Sequence, residues 1–159
     1  MIRIGHSWDT HRLVEGRNLI LGGVKIESKV GLLGHSDADC VLHSIAEALL
    51  GSLALGDLGT FYPDNSDKTL NMDSKIILSE CYDRIKNLGY HLVNLDLTIY
   101  AEHIKINPHR KDIQKSIANI LNIDESFVSI KATTYEGMSF IGNDLAIASE
   151  CCLLVESND

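Results

Sequence analysis

Two hydrophobic periods alternate along this chain, and the switches between them mark its elements. Ile2, Ile4 and Leu13, with Trp8 and Thr10 between them, predict a strand over residues 3–13, closed by the turn Glu15-Gly16-Arg17-Asn18. Leu19-Ile20-Leu21 and Val24-Lys25-Ile26 flank Gly22-Gly23, which is a hairpin pattern. Leu42, Ile45, Leu49 and Leu53 then recur at helical spacing. A helix is expected there, capped by Ser36 or Asp37 and running to Gly51 or beyond. Ile76, Ile77, Cys81, Ile85 and Leu88 give a second helix, with Asp73 or Ser74 as its cap and Gly89 as its stop. A strand follows over 90–101, carrying Leu92, Leu95, Leu97 and Ile99. Asn107-Pro108 offers a cap and an N1 proline for a third helix reaching about Leu121. Residues 127–134 and 145–155 read as the last strands. This order predicts an α/β (α+β) sandwich, a mixed β-sheet with helices packed on one face. No repeat or linker divides the sequence, so one domain over 1–159 is expected. Residues 56–67 form a polar loop with few structure formers, long enough to be functional.

Composition narrows the classes. Apolar residues make up 45% of the chain, enough for a sizeable core, yet no run is long enough to cross a membrane. The start lacks a basic-then-apolar leader pattern, and a cytoplasmic location is expected. The four cysteines, at 40, 81, 151 and 152, form no CxxC pair and are read as reduced thiols. Adjacent Cys151 and Cys152 should point to opposite sides of their strand. A net charge of −8 without a basic cluster argues against nucleic acid and against an anionic membrane as partners. A phosphorylated small molecule is compatible with it, provided a metal supplies the positive charge.

The chemistry gathers in three stretches. In the first, Leu33 to His43, a loop becomes a helix, and Asp39 and His43 are four apart. Asp37 and Asp39 would repel a bare phosphate at that helix start, so an anion there needs a cation. Asp9 and His11 are two apart on a strand and share its face. Asp9, His11 and His43 would together make a three-ligand set for zinc with one position open. Taken alone, the Asp-x-His pair fits a surface or satisfied-core role better than a ligand role, and a lone His43 is more often packed than ligating. The second stretch, Lys131 to Gly137, ends a strand with Thr133, Thr134 and Glu136. These could hold phosphate and a hard cation such as magnesium, although threonines at a strand end are ordinary. In the third, Ala101 to Pro108, Lys105 could contact a phosphate or a base, or simply be solvated. No Walker or dinucleotide pattern occurs.

The motifs in combination resemble a known family. They are Arg3-Ile4-Gly5-His6 leading to Asp9-Thr10-His11, Leu21-Gly22-Gly23-Val24, and Gly31 to Asp39 with His43. Ala48-Leu49-Leu50-Gly51, Ala54 to Gly59, Pro63-Asp64, Asp73-Ser74, Asn94-Leu95-Asp96 and Lys131-Ala132-Thr133-Thr134 continue them. In this order they resemble the 2-C-methyl-D-erythritol 2,4-cyclodiphosphate synthases over nearly the whole chain. His-Ser-Asp-Ala-Asp with the downstream histidine is the most specific part.

The resemblance implies a homotrimer with active sites between subunits. It also implies a lyase of the non-mevalonate isoprenoid (terpenoid) pathway. This activity forms the 2,4-cyclodiphosphate from 4-diphosphocytidyl-2-C-methyl-D-erythritol 2-phosphate and releases CMP. By the same resemblance Asp9, His11 and His43 would bind zinc, and Glu136 would hold magnesium or manganese at the diphosphate. His35 and Thr134 would act in catalysis. Ser36, Asp57, Gly59, Tyr62, Pro63, Asp64, Asn65 and Ser66 would hold the methylerythritol end. Ala101, Lys105, Ile106, Asn107 and Thr133 would hold the cytidine part, and Phe140 would contact substrate.

The chain departs from the family after Glu136. Gly137-Met138-Ser139-Phe140 stands where Lys-Leu-Gly-Phe is usual, and Ile141-Gly142-Asn143-Asp144 where Thr-Gly-Arg-Gly is common. His103-Ile104 replaces Ala-Pro in the pyrimidine loop. The missing arginine implies a trimer cavity without a strong donor for isoprenoid diphosphates. Two other readings compete. One is a non-catalytic trimeric module that binds metal or isoprenoid diphosphate. The other is a zinc hydrolase that would give a linear product.

Overall fold

The computed structural model describes residues 1–65 and 69–158. Five strands form one mixed sheet in the order β4-β1-β7-β5-β6. They are β1 (Ile2–Glu15), β4 (Val30–Leu32), β5 (Tyr90–Tyr100), β6 (Val128–Thr133) and β7 (Ala146–Ser157). β5 and β6 are parallel, and the other pairs are antiparallel. β2 (Leu19–Leu21) and β3 (Val24–Ile26) make the separate hairpin that Gly22-Gly23 announced. Both glycines have positive φ, +61° and +75°, as a tight turn requires.

β1 is longer than residues 3–13. It pairs with β7 from Ile2↔Glu156 to Arg12↔Ala146, then with β4 from Leu13↔Leu32 to Glu15↔Val30. β4 itself has only three residues around Gly31, too short for an alternating pattern to announce it. Along β1 the odd positions face the helices and the even positions face away. Gly5 is buried under a helix, whereas Ile2 and Ile4 are exposed. The same alternation buries Cys151 and exposes Cys152, and all four cysteines are free thiols.

Three helices cover one face of the sheet: α1 (Cys40–Ser52), α3 (Ser74–Asn87) and α4 (Arg110–Leu121). α1 lies on β1 and β7 and also against α3, so residues all round it are buried, Val41, Leu42, Ile45, Leu49 and Leu50 among them. Its cap is Asp39, not Ser36 or Asp37. The Asp39 carboxylate accepts the N–H groups of Val41 and Leu42, both at 3.1 Å. The same carboxylate accepts the hairpin N–H groups of Gly22 (2.9 Å) and Gly23 (2.6 Å). Asp39 thus locks the hairpin to the start of α1. As a cap it stands outside the helix, so the four-residue spacing does not put it beside His43.

The remaining helix ends are settled locally. α3 is capped by Asp73, whose side chain accepts the Lys75 N–H. The third helix begins as a 3₁₀ turn over Asn107–His109, with Pro108 in its first turn and no side-chain cap. α4 continues it and ends at Asn122 in the left-handed region. Two short helices were not anticipated: α2 (Leu58–Phe61), within the loop over 56–67, and α5 (Ser139–Gly142). No helix among the described residues is long and apolar enough to cross a membrane.

Candidate metal centre and substrate cavities

Asp9 and His11 leave β1 on its helix-facing side, and His43 descends from the first turns of α1 onto them. His11 Nε2 lies 3.1 Å from Asp9 Oδ2, His43 Nδ1 lies 3.3 Å from the same oxygen, and the two nitrogens are 3.2 Å apart. Donors about 2.0–2.2 Å from a tetrahedral ion stand roughly 3.3–3.5 Å from one another. The three donor atoms therefore mark three corners of such a site and can hold a metal ion.

The outer nitrogens of the two rings are engaged. His11 Nδ1 is 2.9 Å from the Leu33 carbonyl, which can only accept, so this nitrogen carries the proton and Nε2 is left bare. His43 Nε2 lies 2.8 Å from Ser74 Oγ and 3.2 Å from Ser36 Oγ. Burial alone would raise the Asp9 pKa, but the hydrogen bonds and charges of His11 and His43 outweigh it and hold the carboxyl well below the ordinary carboxylate range. Burial opposes charge on His11 as well, and Asp9 reverses that effect and raises the histidine's pKa. Asp9 is therefore held ionised beside the two imidazoles, and a fixed carboxylate with two ring nitrogens presents a negative field to a cation.

The triad opens into a cavity of about 510 Å³. Of the residues sequence reasoning proposed, His35, Ser36, Gly59, Tyr62 and Asp64 line it together with the triad. The segment that carries Gly59 is well anchored. Asp57 caps α2 by accepting the Thr60 N–H (2.9 Å), so its carboxylate is already engaged. Tyr62 donates to Glu80 (2.5 Å), and Arg84 stacks over Phe61 at 4.3 Å. The Pro63 carbonyl accepts the Thr69 hydroxyl (2.8 Å). Asn65 is exposed on that loop, and Ser66 lies outside the described residues.

A second cavity of about 160 Å³ is lined by Ala101, Lys105, Ile106, Asn107, Thr133 and Thr134, among others. The two cavities share no lining residue. Glu136 stands on the exposed turn after β6 at φ +51°, and its backbone N–H donates to Thr134 Oγ1 (3.3 Å). One Glu136 oxygen accepts the Thr134 hydroxyl at 3.5 Å, and an exposed carboxylate of this kind can serve a hard cation such as magnesium, which keeps most of its water and takes other ligands from phosphate. Phe140, on α5, meets the edge of Trp8 with ring centroids 6.4 Å apart.

Several contributors escaped the sequence reading. Glu47 lines the first cavity and accepts the Leu58 N–H (2.9 Å), and burial raises its pKa. Its position one turn after His43 on α1 was the available signal. Ser74, behind His43, had been read only as a helix cap. Glu102 accepts the N–H groups of Tyr135 (3.0 Å) and Gly137 (3.2 Å), across a gap in sequence that no periodicity bridges.

Comparison with known proteins agrees with this geometry. The model of the YgbB family matches residues 2–156. A 2-C-methyl-D-erythritol 2,4-cyclodiphosphate synthase of Carboxydothermus hydrogenoformans is 47% identical over 98% of this chain and 96% of its own. One from Leptospira borgpetersenii is 46% identical over 99% of each chain. Among solved structures, a bifunctional IspDF from Campylobacter jejuni superposes with a TM-score of 0.96 at 36% identity. It covers all of this chain, which spans 43% of that longer protein. A CDP complex of IspF from Plasmodium falciparum gives a TM-score of 0.87 at 38% identity over 99% of this chain and 97% of its own. By sequence and by fold, the chain belongs to the YgbB family of 2-C-methyl-D-erythritol 2,4-cyclodiphosphate synthases.

Proposed function

We propose that this chain converts 4-diphosphocytidyl-2-C-methyl-D-erythritol 2-phosphate into 2-C-methyl-D-erythritol 2,4-cyclodiphosphate and releases CMP, as an enzyme of non-mevalonate isoprenoid synthesis. The observation that carries the reading is the Asp9, His11 and His43 triad opening into a cavity, in a chain nearly half identical to synthases so named.

An oxygen of the 2-phosphate attacks the β-phosphorus of the same molecule. The bond from that phosphorus to the oxygen bridging towards the α-phosphate breaks, and CMP leaves with the electron pair. Both reacting groups are anionic and no protein nucleophile is needed, so catalysis rests on charge and positioning. Asp9, His11 and His43 would hold zinc, the N/O donor set that metal favours, and Glu136 would hold magnesium or manganese. Such cations would draw charge from the phosphate oxygens and reduce their repulsion. His35 and Thr134 donate hydrogen bonds to the transferring phosphoryl group. Ser36, Asp57, Gly59 and the loop from Tyr62 to Ser66 hold the methylerythritol end, and that loop excludes the water that would give a linear product. Ala101, Lys105, Ile106, Asn107 and Thr133 hold the cytidine part, supported by the cavity they line, and Phe140, packed on Trp8 of the first cavity, contacts substrate.

The active assembly in this reading is a homotrimer. Its support is the sheet face opposite α1, α3 and α4, where Ile2 and Ile4 are 61% and 64% exposed. Two cavities without a common residue in one chain suit sites completed between subunits. The test is phosphorus NMR of the product formed with magnesium, with and without a chelator. Cyclic diphosphate and CMP, both lost on chelation, support the reading; linear product or no turnover overturns it. Mixing H43A with E136A protein should restore activity if the two residues serve one site from different subunits. Sedimentation gives the stoichiometry.

A further inference from the structure

We propose that Ser74 and Asp37 are positioning residues for the metal centre, holding His43 in the one tautomer and orientation that leaves Nδ1 free as a donor. The inference rests on reading Asp9, His11 and His43 as a metal site. It adds two residues that touch neither metal nor substrate.

The argument follows the direction of the hydrogen bonds. Ser74 is fully buried, and its Oγ makes a short hydrogen bond to Asp37 Oδ1 and lies 2.8 Å from His43 Nε2. A carboxylate only accepts, so the hydroxyl proton of Ser74 is committed to Asp37. Ser74 then has only lone pairs to offer His43, and Nε2 must be the protonated nitrogen. In a neutral ring this leaves Nδ1 bare, the atom 3.3 Å from Asp9 Oδ2 and 3.2 Å from His11 Nε2.

Asp37 is itself fixed by the N–H groups of Ser74 (3.1 Å) and Asp39 (3.2 Å). Ser36 Oγ stands farther from Nε2, at 3.2 Å, and accepts the Ala38 N–H. No carboxylate sets the direction of its proton in these contacts. His11 is aimed by a backbone carbonyl, that of Leu33 just after β4. The aim of His43, by contrast, depends on the first turn of α3, 31 residues further along the chain. Carboxylate, hydroxyl and imidazole form a relay one link longer than the usual carboxylate–histidine support of a metal ligand.

Two readouts test it. The first is the histidine tautomer, from long-range ¹H–¹⁵N spectra of metal-free protein at alkaline pH. The wild type should show His43 protonated at Nε2, while S74A should show a mixture or the Nδ1–H form. D37N removes the acceptor-only partner, because an amide can also donate, and it should disturb the tautomer with the hydroxyl still present. The second readout is zinc affinity by competition with a chromophoric chelator. S74A should weaken it about 10- to 100-fold, and S74T should recover most of the loss. An Nδ1–H tautomer in the wild type overturns the relay. So does an unchanged tautomer and zinc affinity in folded S74A or D37N. Failure of the wild type to bind zinc overturns the metal reading instead, and the tautomer spectra still decide the relay.

Discussion

Gly5 on β1 and Ala48 on α1 meet backbone to backbone: a Cβ at Gly5 would stand 2.0 Å from the Ala48 carbonyl oxygen. That contact sets how deeply α1 lies on β1, and hence how closely His43 approaches Asp9 and His11. G5A must push the helix outward, because the opposing atom is main chain and cannot rotate aside. Overpacking of this kind costs about 3 kcal/mol, or roughly 6–12 °C in Tm for a chain of this size. Thermal unfolding should show that loss, and metal uptake should weaken with it. A variant as stable as the wild type would mean that α1 can lift freely.

Asp39 joins two elements through one carboxylate, so its loss should exceed that of an ordinary cap. D39A strands four backbone N–H groups, those of Gly22, Gly23, Val41 and Leu42, in a fully buried place. The expected cost is about 3 kcal/mol or more, against about 1 kcal/mol for a typical cap. Urea unfolding measures it. A loss near 1 kcal/mol would show that water replaces the carboxylate at the hairpin.

Metal binding should depend on pH in one direction. Asp9 outweighs burial and lifts the His11 pKa above 6.5, and a metal must displace the second proton that Nε2 takes up when the ring becomes charged. The group is protonated below its raised pKa, so apparent affinity falls as pH drops through it and levels off above. Below that point the fall is about tenfold per pH unit for each proton displaced. Competition titrations across the range should show the slope. An affinity that is flat with pH would mean that His11 is not a ligand.

How much of this was legible in the sequence depended on whether the signal was local. Gly22-Gly23 between two short apolar runs gave the hairpin, and helical spacing from Ile76 to Leu88 gave α3. Asp9 and His11 could be placed on one strand face by parity alone. Their meeting with His43 could not, since it needs the close crossing that Gly5 allows. Ser74 and Glu102 act across 31 and 33 or more residues, through hydroxyl and carboxylate groups whose partners no periodicity names. The cap of α1 was misjudged because Ser36, Asp37 and Asp39 all suit the role, and tertiary contacts decided among them. Asp37 is engaged by Ser74, whereas Asp39 is the carboxylate that also reaches the hairpin.

Glu102 gives the last prediction. Its two carboxylate oxygens accept the N–H groups of Tyr135 and Gly137, which flank Glu136 on either side. Glu136 and Gly137 both have positive φ, +51° and +74°, a conformation that costs a non-glycine residue energy and persists only when held. Glu102 also lines the second cavity, so one side chain ties the proposed cytidine subsite to the proposed magnesium ligand. E102A should release the turn. The loss of two charge-assisted bonds, partly replaced by water, is worth about 1–2 kcal/mol, or roughly tenfold. It should show as a higher magnesium requirement together with a raised KM for the cytidine substrate, while zinc affinity at Asp9, His11 and His43 stays unchanged. A change in KM alone would confine Glu102 to the base pocket, and a change in zinc affinity would mean that the variant disturbs the fold rather than the turn.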